Sequence, residues 1–227
     1  TTVTFTTSRP IKMVYTLDGT TPTPSPTIYT SPIKVSDNTI IKIATVLPSG
    51  KMSRIRTVNV EKQTYAPAIK IDGVKSGLQM SRVKGNFLKV DDLNWTDAEW
   101  EKSIISNLEQ IKIQRKDDGA TLRGANNYAA IAEGYINIPE DGVYYLSSRL
   151  EQVWIDNKLV INNEGDVKAS TMNDSSVALA KGLHPIKVVF LANIIGGWPS
   201  WWSSTAIEMR KDNEKEFTAV GGSQLFR

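Results

Sequence analysis

Residues Gly134 to Val160 read GYINIPEDGVYYLSSRLEQVWIDNKLV, and this stretch decides the fold. The apolar runs GYINI and VYYL flank Pro139-Glu140-Asp141-Gly142, whose residue types favour a turn. Further on, QVWI and KLV are separated by Asp156-Asn157 alone. Two such residues between strand-like runs predict a tight hairpin, because Asp and Asn tolerate the positive φ that the turn requires. Trp154 falls within this strand pattern and is expected in the core.

Working outward, Pro185–Ala192 carries Ile186, Val188 and Phe190 on one face, with Val189 and Leu191 behind them. A strand apolar on both faces is expected to be central and buried. Met80–Val83, Gln110–Arg115, Asn127–Ile138, Val143–Arg149, Gln152–Ile155, Lys158–Ile161, Ser176–Leu179 and Thr205–Arg210 also read as strands. The one helix signal is Thr96–Asn107. Thr96 and Glu99 form a capping box, and Trp100, Ile104, Ile105 and Leu108 follow at helical spacing. Trp95 and Trp100 flank that cap and are expected to pin it to the sheet.

The first sixty-odd residues read as β throughout. In Ile11–Leu17, Ile11, Met13, Tyr15 and Leu17 alternate with Lys12, Val14 and Thr16. Asp18-Gly19 ends the run, and Pro22, Pro24 and Pro26 make a stiff loop or edge. Strands are expected again at Thr27–Val35, Thr39–Leu47 and Arg54–Val60. Short strands at this spacing predict a small sandwich. The polar segment Glu61–Ala68 is the best boundary, dividing the chain into 1–65 and 66–227.

Composition narrows the function. Lys and Arg number 27 against 24 Asp and Glu, and they are scattered, which speaks against a nucleic-acid binder. With no cysteine, disulfides and thiolate zinc sites are excluded. No apolar run approaches the ~20 residues of a membrane span. The chain opens on TTVTFTTS, already strand-like, and is expected to be a piece of a longer protein.

Two resemblances are specific. YTLDGTTPTPSPTIYTSPI, Tyr15 to Ile33, resembles the small immunoglobulin-like module at the C-terminal end of chitobiases and related β-N-acetylhexosaminidases. The pieces GYINIPEDGVYYL, VWIDNKLVI and LAKGLHPIKVVF, in that order, resemble the module first recognised in anthrax toxin protective antigen, which also occurs in β-glucosidases and adhesins. Together these imply a mainly β chain: an immunoglobulin-like sandwich followed by a protective-antigen-like antiparallel β-barrel or sandwich with one short helix. They imply the non-catalytic C-terminal region of a bacterial, extracytoplasmic family-20 glycoside hydrolase, its partner being an upstream catalytic domain of the same chain. Two alternatives remain: a purely structural spacer docked on that domain, and an independent sugar-binding adhesin-type module.

The resemblance breaks at one place. Many relatives carry Ser-x-Asp-Asp-Gly before the Trp-Ile-Asp segment, and in sugar-binding adhesins that acidic pair helps hold calcium. Here Ser147, Ser148, Arg149, Leu150 and Glu151 stand there, so the calcium site is not carried over. No cofactor or metal is expected.

The catalytic pattern of family-20 enzymes is an adjacent Asp-Glu pair. Glu140-Asp141 has the reversed order and reads as a turn. His184, the only histidine, has no nucleophile-elbow serine in the sequence and reads as structural, at a strand entrance. Asp91-Asp92, Asp117-Asp118 and Asn162–Asp166 read as solvated turns rather than metal loops. Trp198, Trp201 and Trp202 are the candidate carbohydrate contacts. They lie in a loop rich in Gly and Pro, and an indole plane suits the C–H face of a sugar. Glycans are therefore the candidate ligand, with packing at an interface as the competing use of the same tryptophans.

Overall fold

The computed structural model describes residues 1–24, 27–94, 100–113, 127–165, 173–195, 198–199 and 202–227. The chain is mainly β and divides into two compact units, Thr1–Gln63 and Thr64–Arg227.

The first unit holds β1 (Thr2–Val3), β2 (Lys12–Thr16), β3 (Ile33–Lys34), β4 (Thr39–Val46) and β5 (Arg56–Val60). β1 pairs with β3, and β4 lies between β2 and β5, all antiparallel. Val14, Ile33, Ile41, Ile43 and Ala44 form its buried set. The buried face of β2 is therefore the Val14 face: Met13 and Tyr15 are half-buried and Leu17 is exposed. Thr27–Val35 is not one strand. Only Ile33–Lys34 is regular, and Ile28 makes an isolated bridge to Val14. Proline explains this, since a residue without an amide hydrogen cannot extend the ladder. Asp18-Gly19 turns as expected, with Gly19 at φ 77° and Asp18 Oδ1 accepting from the Thr20 amide at 3.0 Å and hydroxyl at 2.6 Å. Those two bonds hold the Asp18 carboxyl below its ordinary value.

The second unit holds β6 (Leu78–Lys84), β7 (Glu101–Ile105), β8 (Tyr128–Ile138), β9 (Gly142–Ser148), β10 (Gln152–Ile155), β11 (Lys158–Asn162), β12 (Asn173–Leu179), β13 (Gly182–Ala192), β14 (Ile194–Ile195), β15 (Trp198–Pro199), β16 (Ile207–Lys211), β17 (Thr218–Ala219) and β18 (Leu225–Phe226). One seven-stranded sheet runs β11-β10-β13-β8-β6-β7, with β18 also on β8. A four-stranded sheet runs β12-β9-β16-β17. Both contribute to one buried cluster, with Phe190, Val188, Ile136 and Tyr128 from the larger sheet and Tyr144, Leu146, Ile207 and Met209 from the smaller. They therefore pack face to face as a sandwich. β13 is central, between β10 and β8, and from Val188 to Ala192 it is buried on both faces.

The hairpin at Asp156-Asn157 is confirmed in detail: φ is 50° and 61° at the two residues, the pattern of a type I′ turn. Pro139–Asp141 turns between β8 and β9, and Asp141 Oδ1 accepts from the Lys181 amide at 2.6 Å.

Three expectations are corrected. The helix over Thr96–Asn107 is absent at Glu101–Ile105, which is strand β7; residues 95–99 lie outside the described residues. No α-helix occurs among the described residues, only short 3-10 turns. Ile104 and Ile105 lie on opposite sides of β7, 49% and 3% exposed. Pairing along β6 gives this segment ladder hydrogen bonds along one edge, and that outweighs a weak local preference. The strand expected at Gln110–Arg115 begins instead as a 3-10 turn, Leu108–Ile111, with Asn107 Oδ1 accepting from the Gln110 amide; residues 114–115 lie outside the described residues. Trp154 is not in the core. Its neighbours Val153 and Ile155 point inward, which puts the indole on the outer face, half-buried. Trp100 is buried as expected, its Nε1 donating to the Asn94 carbonyl at 3.1 Å, but it precedes a strand.

Candidate functional site

The tryptophan segment follows the long strand β13. β14 and β15 form a small hairpin, with Ile195 opposite Trp198 and Ile194 opposite Pro199. Trp201 lies outside the described residues, as do residues 196–197 and 200. Trp202 is 55% exposed, the most exposed large hydrophobic residue among those described.

The chain just beyond Trp202 is anchored. Thr205 is fully buried, its hydroxyl donating to the Leu108 carbonyl at 2.9 Å and its amide donating to Glu109 Oε1 at 3.0 Å. Lys112 Nζ donates to the Ser203 carbonyl at 3.2 Å and pairs with Glu109 at 2.6 Å. Burial pushes the Glu109 carboxyl up, but the Lys112 ammonium and the Thr205 donors outweigh it and hold it below the usual carboxylate range. On the other side, Ser148 Oγ donates to the Ala206 carbonyl at 2.9 Å. The Trp202 indole therefore stands on a fixed base, which lowers the ordering cost of any contact it makes. The sequence reading missed this base. Glu109 and Lys112 precede Thr205 by ninety-odd positions, and no local pattern joins them to it.

Where related modules carry an acidic pair, the segment after β9 is closed by its own hydrogen bonds. Asn163, 2% exposed, donates from Nδ2 to the Ser148 and Leu150 carbonyls at 2.9 and 2.8 Å. Glu151 is also buried, and its Oε2 accepts from the Leu191 amide at 2.8 Å. Leu150 packs into the core.

The remaining acidic segments act as backbone acceptors. Asp92 accepts from the amides of Leu88 and Lys89, and Glu164 Oε1 accepts from the Val90 amide at 2.9 Å. Among the described residues no group of three or more His, Cys, Asp or Glu is placed to hold a metal; Asp117, Asp118 and Asp166 lie outside them. Glu140 pairs with Lys211 at 3.1 Å and its carbonyl accepts from the Tyr144 hydroxyl. His184 is fully buried between Asp156 and the Ala180 carbonyl.

The sequence matches two families in order. Residues 1–57 match the chitobiase/beta-hexosaminidase C-terminal domain, and residues 107–215 match the PA14 domain. A β-hexosaminidase from Porphyromonas gingivalis is 40% identical over 225 residues, 99% of this chain. The chain is thus similar to the C-terminal accessory region of β-hexosaminidases. It spans 29% of that relative's length.

The tryptophan segment and the closed Ser148–Glu151 segment both fall within the PA14 match. Among solved structures, the PA14 domain of the MpAFP antifreeze protein is similar at a TM-score of 0.47 and 12% identity, covering 73% of this chain and 96% of that one. The A domain of epithelial adhesin 9 from Candida glabrata, in complex with Galβ1-3GlcNAc, is similar at a TM-score of 0.43 and 12% identity, covering 70% and 92%. Likenesses this distant carry no functional argument. No helix among the described residues is long and apolar enough to cross a membrane.

Proposed function

We propose that this chain serves a β-N-acetylhexosaminidase-type glycoside hydrolase as its non-catalytic accessory region, scaffolding a catalytic domain of the same protein and adding a carbohydrate contact. The observation that carries the reading is the 40% identity to a β-hexosaminidase along nearly the whole chain. The carbohydrate contact is assigned to Trp198, Trp201 and Trp202. Support comes from the exposed Trp202 indole on its anchored base. Such an enzyme works on glycans outside the cytoplasm, and we place the chain there. The functional boundary is set within Glu61–Ala68.

A weak second contact gains its value from tethering. A module bound to a polymer holds its attached enzyme at a high effective concentration of substrate, so modest affinity raises turnover on polymers and not on small substrates.

The test uses the purified chain. It is expected to leave a chromogenic N-acetylglucosaminide intact and to bind N-acetylhexosamine oligosaccharides, with binding lost when Trp201→Ala and Trp202→Ala are combined. Hydrolysis by the chain itself contradicts the non-catalytic assignment. Binding that survives the double substitution contradicts the tryptophan assignment.

A further inference from the structure

The outer face of the seven-stranded sheet has two halves. On one, Ala129, Ile131, Val189 and Leu191 are covered by Val90, Leu93 and Trp100 in a second buried cluster. On the other lies a groove of about 640 Å³. Its floor is a single cross-strand row. Trp154 on β10 is opposite Lys187 on β13, Lys187 is opposite Glu133 on β8, and Glu133 is opposite Gln79 on β6. Residues directly opposite in antiparallel pairs share a face, so these four side chains stand together. Tyr135 and Arg227 line the groove beside them.

This row is not ordinary solvated surface. Trp154 is half-buried, its Nε1 donating to Gln152 Oε1 at 3.0 Å, and the Lys187 ammonium lies 4.5 Å from the indole centroid. The ring is thus held from its edge and from one face. Arg227 is fixed too: its backbone exchanges bonds with Lys75, and its guanidinium donates to the Ser76 carbonyl. The groove is therefore preorganised, and its volume lies within the ~300–1,000 Å³ of small-molecule sites.

The chemistry of the lining selects among ligands. Two aromatic rings stand beside donors on Lys187, Arg227 and Gln79 and acceptors on Glu133 and Gln79. Cations and a carboxylate in one row disfavour any polyanion, whose recognition needs a single sign of charge. A purely apolar ligand would strand the charged groups without water. A pyranose fits both demands, with C–H faces for the rings and hydroxyls that donate and accept at its rim.

We infer that this groove is a second carbohydrate-binding site, distinct from the Trp202 loop, that takes a neutral N-acetylhexosamine oligosaccharide. The identity of the sugar rests on the β-hexosaminidase reading; the class of ligand rests on the groove. Two contacts on one accessory region would hold a glycan at two points.

The test is an NMR titration of the chain, with its indole Nε1–H signals resolved, against tri-N-acetylchitotriose. Trp154→Phe removes and so assigns one signal. That Trp154 signal is expected to shift, and Glu133→Ala, at an exposed position, is expected to weaken this event about tenfold, the scale of a lost charge-assisted hydrogen bond. Trp202→Ala is expected to leave it unchanged. If only the Trp202 signal shifts and Glu133→Ala has no effect, the groove assignment falls while the carbohydrate reading stands. If no indole signal shifts at millimolar sugar, both carbohydrate contacts fall, and the accessory role is judged by enzyme kinetics alone. If the Trp154 signal is instead silent to sugar but shifts on addition of the hydrolase's catalytic domain, the groove is a protein-docking surface and the proposal is overturned.

Discussion

His184 Nδ1 lies 2.8 Å from Asp156 Oδ2 and its Nε2 lies 2.8 Å from the Ala180 carbonyl. A carbonyl can only accept, so Nε2 carries a proton and the ring ties the β10–β11 turn to the start of β13. Replacing His184 with Ala leaves the half-buried Ala180 carbonyl without its donor. The expected cost is about 2 kcal/mol, read as a lower urea midpoint with unchanged slope, and His184→Gln should recover part of it. The sequence showed that this histidine lacks a nucleophile. It could not show Asp156 as the partner, because that contact needs a turn and a strand 28 positions away to be in place. Single side chains also reveal the limit of alternation. The period of two marks β2 and β10 as strands with distinct faces, but the pattern is blind to which face goes inward. Hence Val14 is buried where Met13 and Tyr15 are half-buried, and Trp154 points away from the core.

At the scale of elements, legibility follows locality. The Asp156-Asn157 hairpin was readable because two residues in the sequence determine it. Asn157 sits at φ 61°, so Asn157→Val should cost about 1–2 kcal/mol and Asn157→Gly far less, measured by thermal unfolding. The segment at Glu101–Ile105 was misread because its strand state depends on β6, twenty-odd residues earlier in the chain. A helix-like spacing of apolar residues and a capping box are local facts, and the edge of a sheet is not. The anchored base of the Trp202 loop belongs to the same class. There the Glu109 carboxyl is held below its ordinary range by Lys112 and Thr205. A depressed folded value means that Glu109 stabilises the base fully above the ordinary carboxylate range, and that this contribution is lost as pH falls through the folded value. The protection factor of the Thr205 amide, its exchange corrected for the intrinsic rate, should therefore fall on acidification. Glu109→Gln should show the faster exchange already at neutral pH and little further response to acid. Equal protection in both proteins at neutral pH would mean that Glu109 does not hold the base.

For the whole molecule, two motifs were legible in the sequence: the Tyr15–Ile33 run, and the three ordered pieces between Gly134 and Phe190. The two family matches fall on those same motifs. What the motifs left out is the surface chemistry. The groove over Trp154, Lys187, Glu133 and Gln79 is assembled by register across four strands. Residues 79 and 187 have no relation in sequence that could have signalled it. In the proposed role, this chain assists an enzyme on extended glycans rather than performing the chemistry. The most direct measurement is the activity of the longer hydrolase with and without these residues, on a small chromogenic N-acetylglucosaminide and on a polymeric glycan. Deletion is expected to change kcat/KM on the small substrate by no more than about twofold while activity on the polymer falls about tenfold or more. Equal activity on both substrates with and without the region would contradict it.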